Sequence, residues 1–271
     1  MPFPGRRWWW GAVVAGYALM TYNLFSAWWA SLAGTALILW FARLARPGDW
    51  IERTGLRVPA HAAAFAIVLC AGCAALALVL IDRATAAAGV GFSAFSEFEG
   101  WHLRALATAG QTLNEEIVLG ALLLWMVSTR WKGALPITIA VAVAALFAVF
   151  HLGFYALRPE SVVNQGLVGL PALLSLFAIG VLRNDLILGT GHVGYAWGIH
   201  FGWNLVFFNS GYARADGSGA LDEPEMFNSV LGDPLTLTVI VAAAISRLLW
   251  QRRRRLSPGD SGPWRSSRTA R

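Results

Sequence analysis

The chain carries little charge. Only 13% of its 271 residues are Asp, Glu, Lys or Arg, while 57% are hydrophobic. A soluble domain carries about 25% charged residues, so this composition excludes an ordinary soluble protein and predicts one that is integral to a membrane. The net charge of +6 could suggest nucleic acid. However, the arginines are scattered at the ends of apolar segments, so orientation in a membrane explains them better and no nucleic-acid partner is expected.

Cysteine is nearly absent. Cys70 and Cys73 are the only two, and both lie inside the apolar stretch His61–Ile81. Two cysteines in such a place exclude a disulfide framework. A CxxC pair can also serve redox chemistry or metal binding, but no second pair accompanies it. We therefore interpret both cysteines as small core residues.

Long apolar segments fill most of the chain and predict about eight membrane-spanning helices, or seven. The expected fold class is an all-α, polytopic membrane helix bundle. The first segment runs without charge far beyond the roughly 7–15 apolar residues of a signal peptide, so we interpret it as a retained anchor. The predicted spans are residues 8–22, 25–42, 60–81, 104–128, 134–156, 166–182, 187–208 and 235–250.

The basic residues predict the orientation of these spans. If both termini are cytoplasmic, most Lys and Arg residues fall on the inside, as the positive-inside rule requires. The acidic loop 209–233 then faces outward. Most tryptophans lie near the predicted span ends, as expected for a membrane-interface belt. Trp197 and Trp203 are exceptions, because both fall within the span 187–208 beside its polar residues.

Five polar side chains interrupt the apolar segments. They are Glu115, Glu116, His151, His200 and Asn204. The two glutamates are adjacent inside an apolar run that is long enough to span a bilayer. His200 and Asn204 are four residues apart and therefore share one helix face. Burying all five groups separately would cost several kcal/mol each, so we predict that they meet in one polar cavity.

Each of these groups has a simpler interpretation. A single glutamate or histidine within a membrane can be no more than a hydrogen-bonded packing group. We interpret His192 in that way, and also His61 and His102, which lie at span ends where an imidazole can reach water. Five polar groups on three segments are harder to explain by packing alone.

A cavity with this composition suits hydrolysis of an amide bond by an activated water molecule. A carboxylate removed from water can act as a general base near neutrality. Two imidazoles can bind a metal or orient a water molecule, and an amide can donate to a developing oxyanion. Intramembrane carboxylates and histidines also mark ion paths, so a proton-coupled transporter is an alternative. Transporters usually consist of related halves, and no internal repeat is visible.

Three ordered motifs resemble those of the CPBP family of intramembrane proteases. This family includes CAAX prenyl endoproteases and bacterial bacteriocin-processing or immunity proteins. The motifs are Glu115-Glu116, Phe147-x-x-x-His151 and His200-x-x-x-Asn204. The resemblance covers roughly Thr112–Phe208, and the ordered trio is more specific than any one motif. HExxH, GxGD and GxSG-like motifs, which would indicate another protease class, are absent.

The resemblance implies an endopeptidase that cleaves a peptide bond near or within the membrane. Glu115 would be the base that activates water, with His151 beside it and Glu116 in support. His200 and Asn204 would stabilise the oxyanion or share a metal. Zinc is the expected metal, with Glu115, His151 and His200 as its ligands. A metal-free glutamate mechanism is the alternative, and the residues alone do not decide between the two.

One position departs from the family pattern. The first motif of the family is EExxxR, but residue 120 is Gly. An arginine there would lie one helical turn beyond Glu116 and neutralise it. Without it, Glu116 is protonated, solvated, or paired with a group from another helix. A family member that no longer cleaves, and acts as a scaffold or immunity protein, is therefore a further alternative.

The spans and motifs predict four regions. Residues 1–103 form the N-terminal membrane helices and an outer loop, and 104–208 form the CPBP-like catalytic core. Residues 209–250 form an outer acidic loop and the last membrane helix, and 251–271 form a disordered, basic cytoplasmic tail. The expected partners are membrane lipid and a peptide or protein substrate of unknown identity. The expected location is a bacterial plasma membrane.

Overall fold

The protein is described by a computed structural model that covers residues 28–45, 47–95, 100–122, 124, 136–156, 168–214, 216–221 and 223–256. These residues are mostly helical, as predicted. The helices are α1 (Trp28–Ala45), α2 (Trp50–Arg53), α3 (Ala60–Ala88), α4 (Trp101–Glu115), α5 (Pro136–Ala156), α6 (Leu170–Thr190), α7 (Gly194–Phe207), α8 (Glu223–Val230) and α9 (Pro234–Leu256). A π-helical segment, Glu116–Leu122, continues α4. The first predicted span, residues 8–22, lies outside the described residues.

Two of the described helices, α3 and α6, are long and apolar enough to cross a membrane. Helix α3 also leaves large apolar side chains exposed along its length, among them Ile67, Val68 and Val79. A continuous apolar surface of this kind is a liability in water and is typical of contact with a membrane. The composition and these helices therefore agree on an integral membrane protein, while the count of about eight spans stays a prediction.

Helix α6 corrects one predicted boundary. The sixth predicted span ends at residue 182, before the polar run 183–185. The helix instead continues through this run, and all three side chains are buried. Asp185 accepts a hydrogen bond from Nε of Arg247 on α9 at 2.7 Å. The Arg183 guanidinium lies 4.2 Å from the centre of the Phe147 ring. Partners from neighbouring helices thus stabilise these charges inside the protein.

Two short strands add to the predicted all-α fold. The third predicted span ends at residue 81, but α3 continues to Ala88 and is followed by strand β1 (Val90–Ala94). This strand pairs with β2 (Ser210–Arg214). The rings of Phe92 and Tyr212 pack 5.7 Å apart on the pair, and burial raises the pKa of the Tyr212 phenol.

The chain forms two compact units, each built from separated segments. The first comprises residues 1–78, 93–130 and 192–211, and the second comprises 79–92, 131–191 and 212–271. Within the first unit, α4 packs against α1 and α7. Within the second, α6 packs against α5, α8 and α9. The predicted division into four consecutive regions stays a prediction. Helix α9 does extend to Leu256, into the segment predicted as a tail.

Candidate active site

Helix α7 packs against α3 through glycines. A Cβ atom on Gly198 would lie 2.5 Å from the carbonyl oxygen of Ala66, and one on Gly202 would overlap the carbonyl oxygen of Cys70. Small residues four apart allow this backbone approach between membrane helices. His200 is two residues from each glycine, or about 200° around the helix. The glycine contact therefore directs His200 away from α3.

His200 lies between the two adjacent glutamates. Its Nδ1 atom is 2.7 Å from Oε1 of Glu116, and its Nε2 atom is 3.8 Å from Oε2 of Glu115. All three side chains are buried, and Glu116 is 0% exposed. A carboxylate oxygen accepts a hydrogen bond from an imidazole N–H, so this contact fixes the imidazole when its proton is on Nδ1. The separation of 3.8 Å is too long for a direct hydrogen bond and suits a bridging water molecule.

The contact between His200 and Glu116 shows how Glu116 is paired although residue 120 is Gly instead of the Arg of the family motif. The structure pairs Glu116 with a group from another helix, which is one of the three states that the sequence left open. Gly120 is buried in the π-helical segment. A π-helix is bonded from i to i+5, so residue 120 does not lie one regular α-helical turn beyond Glu116. His200 on α7 is a partner of Glu116 that comes from another helix.

The change from α-helix to π-helix falls between the two glutamates. Glu115 is the last residue of α4 and Glu116 is the first of the π-helical segment, which is buried throughout. Such segments are rare and often occur at functional sites, because they redirect the side chains that follow. The transition accompanies two adjacent carboxylates that face the same imidazole.

Two further contacts at this place were not predicted. Gln111, one turn before Glu115, directs its amide nitrogen at Oε1 of Glu115 from 3.5 Å. Trp197 donates from its indole nitrogen to the carbonyl oxygen of Ala109 on α4 at 3.1 Å. The only signal in the sequence was the unusual position of Trp197, inside a predicted span instead of at its end.

Asn204 is buried on α7, one turn beyond His200. In the part of the chain that the structure describes, its side chain makes no hydrogen bond. An amide without an internal partner is suited to donate to a substrate oxygen. Its role as an oxyanion donor stays a prediction.

His151 belongs to the second unit, near the end of α5. Its Nδ1 atom lies 2.9 Å from the carbonyl oxygen of Phe147. A carbonyl only accepts, so this Nδ1 carries the proton and Nε2 is left as an acceptor. The imidazole packs edge-on against Phe147 at 4.5 Å and Phe227 at 6.1 Å. Because Glu115 lies in the other unit, the predicted approach of His151 to Glu115 stays a prediction.

Phe147, the first residue of the second motif, is almost fully buried at the contact of α5 with α6. Gly180 permits that contact, since a Cβ atom there would lie 3.1 Å from Cα of Ala144 and 3.3 Å from the Phe147 ring. The Arg183 guanidinium covers a face of the same ring. Phe147 is therefore held by α6 and in turn supports the His151 ring.

The donor set fits a zinc ion only in part. A catalytic zinc normally has three protein ligands. Glu115 and His200 offer two suitable donors, and a carboxylate on the far nitrogen of an imidazole, as in Glu116, is typical around zinc. Among the residues that the structure describes, no group of three or more His, Cys, Asp or Glu side chains could hold a metal ion. The third ligand, His151, stays a prediction.

Residues 98–206 match the family model of Rce1-like proteins, described as type II CAAX prenyl endopeptidases. The matched segment is less than half of the chain and includes all five predicted site residues. This match confirms the resemblance to the CPBP family and, at the general level, supports a membrane protease, that is, a hydrolase. No curated protein and no solved structure matches the chain.

Proposed function

We propose that the protein is an intramembrane endopeptidase that hydrolyses a peptide bond near or within the membrane by activated water. The observation that carries this proposal is the position of His200 between Glu116 and Glu115. An imidazole held by one carboxylate and directed at a second is suited to bind and deprotonate water. The family match supports the same class of reaction.

In the proposed reaction, a water molecule lies between Oε2 of Glu115 and Nε2 of His200. Glu115 takes a proton from the water as its oxygen bonds to the carbonyl carbon of the scissile peptide. The electron pair of the carbonyl moves to its oxygen, which Asn204 stabilises by donating a hydrogen bond. When the carbon–nitrogen bond breaks, Glu115 returns the proton to the leaving amine.

The hydrogen bonds of the two histidines refine their proposed roles. With its Nδ1–H on Glu116, a neutral His200 has only an acceptor to offer at Nε2. This favours a role at the water molecule and leaves the oxyanion to Asn204. His151, which also keeps Nε2 as an acceptor, is proposed as a second group beside the water. A zinc ion held by Glu115, His151 and His200 would provide Lewis-acid activation of that water.

The contact between Glu116 and His200 weakens the case for an inactive scaffold. That alternative depended on the missing arginine at residue 120, and His200 now provides the partner that Glu116 needs. No observation favours a transporter. We also propose a bacterial plasma membrane location with both termini cytoplasmic, membrane lipid as a partner, and no nucleic acid. The substrate is a peptide or protein, and the family name alone does not require a prenylated CAAX sequence.

The function is tested by comparing membranes that contain the wild type with membranes that contain Glu115→Gln. Proteins are extracted from both, and their new N-termini are identified by mass spectrometry. We expect cleavage sites that occur only with the wild type. Asn204→Ala should retain a trace of this cleavage, since one lost oxyanion donor costs about 10²–10³-fold. If every cleavage made in wild-type membranes is also made with Glu115→Gln, the proposal is refuted.

A further inference from the structure

We propose that Trp197 is a positioning residue, which sets the rotation of α7 on α4 and so holds His200 against Glu116. This inference rests on the proposed function for its catalytic meaning. Its structural basis is the hydrogen bond from the Trp197 indole to the carbonyl oxygen of Ala109. Trp197 precedes His200 by three residues, so both side chains lie on neighbouring positions of one helix face.

The two residues that Trp197 and His200 contact, Ala109 of α4 and Glu116 of the π-helical segment that continues it, also share a face. Ala109 precedes Glu116 by seven residues, which is close to two helical turns and about 10 Å along the axis. Trp197 therefore contacts α4 on the same side on which His200 contacts Glu116. Two contacts on one side of a helix fix both its rotation and its sliding, whereas one contact leaves the helix free to pivot.

The stacking of the indole restricts its direction. The Trp197 ring lies parallel to the ring of Phe201, the residue one turn later, with 5.2 Å between the ring centres and 14° between their planes. The stack limits the side-chain rotation of the half-buried Trp197, and its indole N–H is directed at the Ala109 carbonyl. The ring packing and the hydrogen bond together therefore define one orientation of the indole.

The contact of α7 with α3, on the opposite side of the helix, is made largely by backbone atoms. Against α3, the helix presents Gly198 and Gly202, whose backbone lies directly on α3 carbonyls. Glycine brings the helices close but has no side chain that would resist rotation. Tyr195 on α7 also packs edge-on against Phe65 of α3, with 5.4 Å between the ring centres, but this contact has no hydrogen bond. The directional contacts that favour one rotation of α7 are therefore those with α4. Among these, the hydrogen bond of Trp197 is the one outside the catalytic residues that lies closest to His200 in the chain.

The experiment compares Trp197→Phe with the wild type. Phenylalanine keeps a ring that can stack on Phe201 and removes only the N–H donor. Trp203→Phe is the matched control, since Trp203 is buried on the same helix and its indole makes no hydrogen bond among the described residues. Protein labelled with ¹⁵N-histidine is measured by NMR in lipid nanodiscs. The signals of His200, one of five histidines, are identified by their loss in His200→Gln.

We expect a single Nδ1–H tautomer of His200 in the wild type and in Trp203→Phe, and a mixture of tautomers in Trp197→Phe. This readout needs no substrate, so it separates a failure of this inference from a failure of the proposed function. An unchanged His200 spectrum in Trp197→Phe overturns the inference, as does an equal change in both variants.

A second measurement keeps the test valid if Trp197→Phe does not fold. In the wild type, the indole N–H of Trp197 should exchange with deuterium as slowly as the amides of α4, because its hydrogen bond opens only when the helices separate. Exchange as fast as that of an exposed indole would overturn the inference.

Discussion

The contact between Glu116 and His200 predicts strong energetic coupling between two residues that are far apart in the chain. Both side chains are buried, and the hydrogen bond between them is 2.7 Å long. Removing the donor of a hydrogen bond to a buried carboxylate costs about 1–3 kcal/mol, and more when the carboxylate is charged, because the acceptor loses a partner. We therefore expect His200→Ala to lower the free energy of unfolding by about 3 kcal/mol. The replacement of Glu116 by Gln in that background should restore part of this loss.

A double-mutant cycle measures this coupling. Glu116→Gln, His200→Ala and the double variant are unfolded reversibly in detergent micelles, and unfolding is followed by the fluorescence of the 14 tryptophans. The double variant should lose about 1–3 kcal/mol less than the sum of the single variants. A parallel cycle with Glu115→Gln is the control. Because Glu115 lies 3.8 Å from His200, we expect a coupling below about 1 kcal/mol there. Losses that add to within about 0.5 kcal/mol in the Glu116 cycle would refute the pairing.

Three further predictions concern packing and charge. Gly120→Arg should lower the yield of folded protein, because it buries a cation in the π-helical segment, and a normal yield in a detergent-extraction assay would contradict this. Gly202→Ala should cost about 1–3 kcal/mol of stability, because the new Cβ overlaps a carbonyl of α3. The control Gly72→Ala, whose new Cβ has no atom within 4 Å, should be neutral or stabilise the protein by up to about 1 kcal/mol. Equal shifts of the melting temperature in the two variants would be inconsistent with the close contact. Arg247→Gln should destabilise the protein by about 1.5–3 kcal/mol in a denaturant titration, because it removes a charged hydrogen bond to the buried Asp185. Arg83→Gln removes an ion pair of which the arginine is 56% exposed and should cost about 0–1 kcal/mol in the same denaturant titration.

Several features follow from the sequence alone because their causes are local. Low charge and long apolar segments predict a helical membrane protein, since a backbone in lipid must satisfy its own hydrogen bonds. The three motifs carry the resemblance to the CPBP family, which the family match supports, because the residue types and their order are visible without any contact. The GxxxG spacing of Gly198 and Gly202 is visible too, although its partner helix is not.

Other features are decided only by the tertiary structure, because they depend on groups distant in the chain. The polar run Arg183–Asp185 ends the predicted sixth span, because the sequence does not show which group could stabilise it in a helix. In the structure, Arg247, 62 residues away, provides a partner for Asp185. Burial then becomes favourable and the helix continues. In the same way, Gly120 leaves the state of Glu116 open in the sequence, and a partner of Glu116 lies 84 residues away on α7. A local pattern fixes which side chains a segment carries and which face they share, whereas the charge that a buried group meets depends on which helix packs beside it.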